Sequence, residues 1–408
     1  MNASQDTHLI DSGYAWWRMV VALILCTIGG IGFWSVVVAL PAVEAEFGID
    51  RGSASLPYAA TLVGFAVGGI FMGRLADKFS IVVPVTLGAV MLGIGYIAAA
   101  HATSLWQFIL AQGVLIGCFG ASATFGPMVA DISHWFVKRR GIAVAIVASG
   151  NYLSGALWPP ALQYGIDTIG WRDAHFAVGV ICIVTMLPLV LLLRRPPPID
   201  HVENATESVD ISSSIKMSPG MLQTLLIIAG VGCCVAMSMP QVHMVAYCGD
   251  LGYGAQRGAE ILSVMLGLGV VSRLASGLIA DKIGGVPTLL LGSALQGLSL
   301  LLYLPYDGLV SLYVVSAIFG LAQGGIVPSY ALVVREFFPA REAGTRVSLV
   351  FTATITGMAL GGWMSGEIYD LTGSYQAAFL NGTAWNLLNL SICIWLLIGR
   401  RRARALAS

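Results

Sequence analysis

Apolar runs of about twenty residues follow one another along this chain with only short polar breaks between them, a pattern that leaves few folds open. Coiled as a helix, each run crosses a hydrocarbon layer about 30 Å thick while satisfying its own backbone hydrogen bonds. About twelve runs are legible, near residues 18–40, 55–76, 82–100, 105–132, 141–165, 173–193, 222–247, 258–280, 287–305, 309–334, 345–371 and 376–399. With 57% hydrophobic and 10% charged residues among 408, and a mean hydropathy of +0.82, the chain is too apolar for a water-soluble domain. The expected fold is an all-α membrane protein with twelve transmembrane helices.

The sidedness of the charge supplies an orientation. With the N-terminus inside, Arg18, Arg74, Lys78, Lys138, Arg139, Arg140, Arg194, Arg195, Lys216, Lys282, Arg335, Arg341, Arg346, Arg400, Arg401, Arg402 and Arg404 all fall on the cytoplasmic side. Only Arg51, Arg172 and Arg257 fall outside, an asymmetry that places both termini in the cytoplasm. The polar start MNASQDTHLIDSG lacks the basic lead of a cleavable signal, so insertion in a bacterial inner membrane as a multi-pass protein is expected. A net charge of zero gives no case for nucleic acid. The seven cysteines sit in or beside apolar runs without metal-ligand spacing and read as small core residues. No phosphate-binding glycine loop, metal cluster or nucleophile–base spacing is present, so the chain is expected to be neither an enzyme nor ATP-driven, and to need no cofactor.

The chain repeats itself at an offset of about 204 residues. GRLADKFS from Gly73 to Ser80 returns as GLIADKIG from Gly277 to Gly284, aligning Asp77 with Asp281 and Lys78 with Lys282. Gly88 echoes in Gly292, Gly120 in Gly324, and DTIGWRDAHF in DLTGSYQAAF. Six helices are thus duplicated into two bundles, residues 1–193 and 219–408, joined by a polar, proline-initiated cytoplasmic linker at 194–218. Two such bundles form the arrangement of carriers that hold substrate at the midplane and expose it to each side in turn.

Within LSVMLGLGVVSRLASGLIADKIG, Leu262 to Gly284, Arg273 places a permanent cation in the middle of a helical apolar run. At a bilayer centre it costs at least ~2.5 kcal/mol, so it is expected to face a water-filled path or an anion. The other reading is an arginine that snorkels to the interface or pairs structurally. Every other Lys or Arg is expected at a helix end or in a loop.

GRLADK and GLIADK resemble the loop motif that the major facilitator superfamily carries after its second and eighth helices, although the first copy lacks the motif's later basic residues. The resemblance makes Asp77, Lys78, Asp281, Lys282, Gly73 and Gly277 gating elements. Asp11, Ser12, Gly13, Tyr14, Ala15 and Trp16 look like the monocarboxylate porter signature before the first helix, with serine and alanine in two glycine places. Trp135, Phe136, Val137, Lys138, Arg139, Arg140 and Gly141 resemble the same family's segment leading into the fifth helix, which makes Lys138, Arg139 and Arg140 part of that motif. PQVHMVAYCGDLG in the seventh helix is similar to the His-x-Val-x-Tyr run of bacterial members, so His243 is a candidate for carboxylate binding or proton carriage, with simple packing as the alternative.

In this family the eighth-helix arginine anchors the substrate carboxylate, and Arg273 stands at the matching place. The guanidinium fork suits a carboxylate bidentately. Oxalate–formate exchangers of the family add an eleventh-helix lysine. Here VSLVFTATITGMALGGWMSG carries no charge before Glu367, so one cation suggests one carboxylate. Tyr152, Asn151, Tyr330, Ser329 and Trp34 can complete a pocket for a small organic acid, with helix packing as the other reading of each. Animal relatives carry an aspartate one turn before the arginine and a first-helix lysine, but Gly269 and Trp34 occupy those places. A proton, if carried, must use another group such as His243, Asp131 or the substrate; Asp131 is also placed to form a structural ion pair near Lys138 and Arg139.

The resulting expectation is a monomeric secondary transporter in the lipid bilayer, moving a small lactate- or pyruvate-like monocarboxylate by alternating access, with a proton as co-substrate. The competing readings are an oxalate/formate-type anion exchanger, an efflux carrier, and a sensor that has kept the transporter fold.

Overall fold

The computed structural model describes residues 9–196, 218–338 and 340–407, so most of the expected linker lies outside the described residues. Among the described residues every regular element is helical. Eleven helices are long and apolar enough to cross a membrane. One of them, Arg140–Leu191, has 52 residues and would extend about 78 Å if straight, more than two bilayer cores. Gly170 breaks it with φ 83° and ψ 157°, so it is two spans and the described residues hold twelve.

In chain order α1 is Gly13–Phe47, α2 Arg51–Phe79, α3 Val82–Ala100 and α4 Leu105–Ser133. The long helix supplies α5 and α6, residues 140–169 and 171–191. Then come α7 Pro219–Asp250, α8 Ala255–Ile283, α9 Gly285–Leu302, α10 Leu309–Phe337, α11 Ala340–Thr372 and α12 Tyr375–Ala407. Helices run past the expected ends because polar residues continue the coil beyond the apolar core; α1, for instance, starts at Gly13 behind an N-cap, Ser12, whose hydroxyl accepts from the Ala15 N–H.

The described residues fall into two compact units. One lies within Met1–Val202 plus Cys248–Ser263, the other within Glu203–Tyr247 plus Val264–Ser408.

In the first unit α2 and α4 pack backbone to backbone. A Cβ on Gly64 would overlap the Gly113 carbonyl, and one on Gly68 the Cys118 carbonyl. Gly69 and Gly73 on the same helix face open space. Against this seam α4 leaves α-helical geometry: a π-helix over Ala111–Gly120 is followed by a 3-10 turn over Ala121–Thr124.

The second unit repeats the design. Gly320 and Gly324 of α10 press on the carbonyls of Met265 and Gly269 of α8, and α10 is interrupted between Gln323 and Ile326. The repeat pair Gly120 and Gly324 therefore mark the same break in each unit. Gly93 makes room for Ile183 of α6, and its counterpart Gly297 makes room for Asn386 of α12. The outward positions are apolar, among them Ile70, Val184 and Leu278, as a surface against lipid requires.

Candidate functional site

Arg273 lies about two-thirds of the way along α8 and is half-buried. Its Nε donates to the Gly324 carbonyl at 3.3 Å. That carbonyl belongs to the break in α10, where glycine at 320, 324 and 325 lets α10 approach α8 closely enough for the guanidinium to meet backbone. Ser276 holds the next turn, its hydroxyl donating to the Arg273 carbonyl at 2.9 Å. The arrangement holds the guanidinium at a helix break through its Nε.

The other expected site residues are placed as follows. In the second unit the His243 Nε2 lies 2.8 Å from the Gly362 carbonyl of α11, and the imidazole is fully buried with its ring centroid 5.7 Å from that of Tyr375. Ser329 donates to Gly325 of its own helix at 2.7 Å. Tyr330 is fully buried and donates to Asn389 Oδ1 at 2.9 Å; the Asn389 amide donates in turn to Ser293 at 2.8 Å. Tyr330 thus ties α10 to α12 and α9. In the first unit Trp34 Nε1 donates to the Asn151 carbonyl at 3.1 Å, linking α1 to α5, while the Asn151 Oδ1 has no protein donor. Tyr152 is buried beside them in sequence.

Gln241 and Gln323 were not singled out by sequence. Both are buried, and Gln241 Nε2 donates to Gln323 Oε1 at 2.7 Å, joining α7 to α10 one residue before the Gly324 break. The signal was present as lone amides in apolar helices, but nothing in local pattern says that residues 82 apart will meet.

Not every basic residue besides Arg273 sits at a helix end or in a loop. Arg18 is inside α1 and 1% exposed. Its Nε and Nη2 each donate to Asp131 at 2.9 Å, its Nη1 to the carbonyls of Leu193 and Arg195, and its guanidinium lies 4.4 Å from the Trp135 ring. Asp131 therefore forms a structural pair, with Arg18 as partner in place of Lys138 or Arg139. Arg51 and Arg172, expected at the outer face, are also paired, Arg51 with Glu44 and Asp250 and Arg172 with Glu46.

The two signature segments meet beside Arg18. Asp11 accepts from the backbone N–H groups of Val137 and Lys138 at 3.3 and 3.0 Å, Tyr14 packs on Trp135, and Trp16 packs on Phe136. Arg139 lies over Trp16, and Arg140 donates to the Phe136 carbonyl. Asp77, Lys78, Asp281 and Lys282 are exposed at the ends of α2 and α8, and neither aspartate makes an ion pair among the described residues.

A family model described as Major Facilitator Superfamily matches residues 22–311 and 270–408. The chain belongs to the major facilitator superfamily. Among its relatives, Monocarboxylate transporter 13 of Bos taurus is 29% identical over 349 residues, which cover 84% of this chain and 79% of that protein. Monocarboxylate transporter 11 of Homo sapiens is 29% identical over 399 residues, 91% of this chain and 80% of that protein. These relatives agree with the monocarboxylate porter signatures at Asp11–Trp16 and Trp135–Gly141. A crystal structure of the nucleoside transporter NupG superposes with a TM-score of 0.74 over 93% of this chain and 99% of its own, at 13% identity, a likeness of fold alone. The protein is a multi-pass membrane transporter and not an enzyme.

Proposed function

We propose that this transporter carries a small monocarboxylate, of lactate or pyruvate size, and that Arg273 binds its carboxylate. The observation that carries the reading is a half-buried guanidinium held at the α10 break, in a chain whose relatives include monocarboxylate transporters. Two short charge-assisted hydrogen bonds to a carboxylate offset the cost of keeping the cation out of water. The loaded carrier is then closer to neutral than the empty one, which favours crossing with cargo by alternating access.

In the second unit His243 is a proposed further contact; in the first, Trp34, Asn151 and Tyr152 are each proposed as substrate-binding residues. Tyr330 and Ser329 shape α10 behind the break. The exposed Asp77–Lys78 and Asp281–Lys282 ends, with Gly73 and Gly277, and the Lys138–Arg140 segment are proposed to serve gating in another state of the cycle. The chain is proposed to lie in a bacterial inner membrane with both termini cytoplasmic, to act as a monomer, and to move a proton with the acid.

Uptake of labelled lactate into proteoliposomes, with and without an inward proton gradient, tests this reading. The gradient should accelerate wild type, and Arg273→Gln should abolish uptake in both conditions. Equal uptake by the variant would remove Arg273 from the site, and indifference to the gradient with stimulation by internal anion would assign exchange instead.

A further inference from the structure

The buried amide pair Gln241–Gln323 is incompletely satisfied. One hydrogen bond joins the two side chains, and it leaves the Gln241 Oε1 and the Gln323 Nε2 without any protein partner, although the residues are 1% and 0% exposed. A buried polar atom left unpaired is destabilising, and such atoms in a native interior call for a partner the bare protein does not supply. The joined pair therefore keeps one free acceptor and one free donor, both buried.

Their place in the fold gives the pair a role. Gln323 ends the first segment of α10, and the next residue, Gly324, offers the carbonyl that holds Arg273. Gln241 reaches it from α7. All three side chains belong to the second unit.

We infer that Gln241 and Gln323 read the substituent on the carbon next to the substrate carboxylate and select a 2-hydroxy acid. This inference rests on the proposal that Arg273 holds the carboxylate. A hydroxyl is both donor and acceptor, so it donates to Gln241 Oε1 while accepting from Gln323 Nε2, and both orphaned atoms are satisfied. A keto oxygen only accepts; it satisfies Gln323 and leaves the Gln241 oxygen facing another lone pair. A methylene satisfies neither. Discrimination arises because the site's own buried groups are left unpaired by the wrong ligand.

The test is binding of L-lactate, pyruvate and propionate to the purified full chain, in wild type, Gln241→Leu, Gln323→Leu and Arg273→Gln. Wild type should bind lactate about tenfold more tightly than pyruvate, and pyruvate more tightly than propionate. Gln241→Leu should bring lactate to within about twofold of pyruvate, both still tighter than propionate, because each keeps its bond from Gln323; Gln323→Leu should bring pyruvate to within about twofold of propionate, with lactate still the tightest. If wild type binds propionate as tightly as lactate, or if the leucine variants keep the wild-type ranking, the inference is overturned; the wild-type ranking alone decides it if a variant does not fold. A leucine variant that melts lower but ranks the three acids as wild type does assigns the pair to holding α7 on α10, which also overturns it. Arg273→Gln should weaken all three acids alike. If it weakens none, the carboxylate anchor itself fails, a result distinguishable from failure of the glutamine reading.

Discussion

Replacing Asp131 with asparagine strands the Arg18 guanidinium, which has no solvent to fall back on. Arg18 has 0% of its side chain exposed and Asp131 7%, and two 2.9 Å hydrogen bonds join them. The bonds to Leu193 and Arg195 and the Trp135 face fill the rest of the guanidinium's surroundings but carry no compensating charge. Breaking one side of a buried pair costs about 3–5 kcal/mol, whereas an exposed pair is worth less than about 1. For a unit of this size, that corresponds to a melting temperature lower by about 6–20 °C. Because the pair is enclosed, added salt should leave the loss unchanged. The double variant Arg18→Met with Asp131→Leu removes both charges and should recover at least half of it, since the desolvation cost leaves with the pair. Thermal unfolding of the detergent-purified variants, followed by size-exclusion chromatography, measures both effects. A loss of 1 °C or less for Asp131→Asn, or a double variant as unstable as the two single losses added together, would refute the argument.

Further outcomes follow from other sites. Ser80 has φ 150° and ψ 165°, a conformation that favours glycine, and its repeat partner Gly284 has φ 91° and ψ 170°. Ser80→Gly should therefore raise stability by about 1 kcal/mol in a thermal melt, and a lower melting temperature would contradict the strain. Gly64→Ala and Gly324→Ala each drive a Cβ into a carbonyl and should cost at least ~1–3 kcal/mol, while Gly73→Ala and Gly277→Ala, with nothing nearby, should be neutral or slightly stabilising. Asp50 caps α2 by accepting from the Ser53 N–H at 2.7 Å, and hydrogen bonds from Ser53 hold its carboxyl below the usual carboxylate range. A depressed carboxyl stabilises the fold above its unfolded pKa, and that stabilisation is lost as pH falls through the folded value. Asp50→Ala should thus lower the melting temperature at pH 7 by the equivalent of about 0.5–1 kcal/mol, with the difference from wild type vanishing in strong acid.

The number of spans and the duplication were legible because both depend on local composition and on the sequence compared with itself. Gly120 and Gly324 could be paired at sight, but their meaning, a break in the fourth helix of each unit, appears only when the α2–α4 and α8–α10 seams are seen. Asp131 was recognised as a group suited to an ion pair; its partner was missed because Arg18 lies 113 residues away and nearer basic residues looked adequate. The polar tyrosines were picked for chemistry, yet the Tyr330 hydroxyl is directed to Asn389, which no periodicity could report. Gln241 and Gln323 carry no charge and match no motif, so their significance rests on the pairing and on the two atoms it leaves over.

Calorimetric titration of the purified protein with lactate, for wild type, Arg273→Lys and Arg273→Gln, probes the carboxylate anchor with least interpretation. Loss of the charged partner of a buried, hydrogen-bonded anion should weaken binding by at least about thirtyfold in Arg273→Gln, with Arg273→Lys between it and wild type because an ammonium keeps the charge but loses the fork. An unchanged dissociation constant in Arg273→Gln, with the variant folded, would contradict the account.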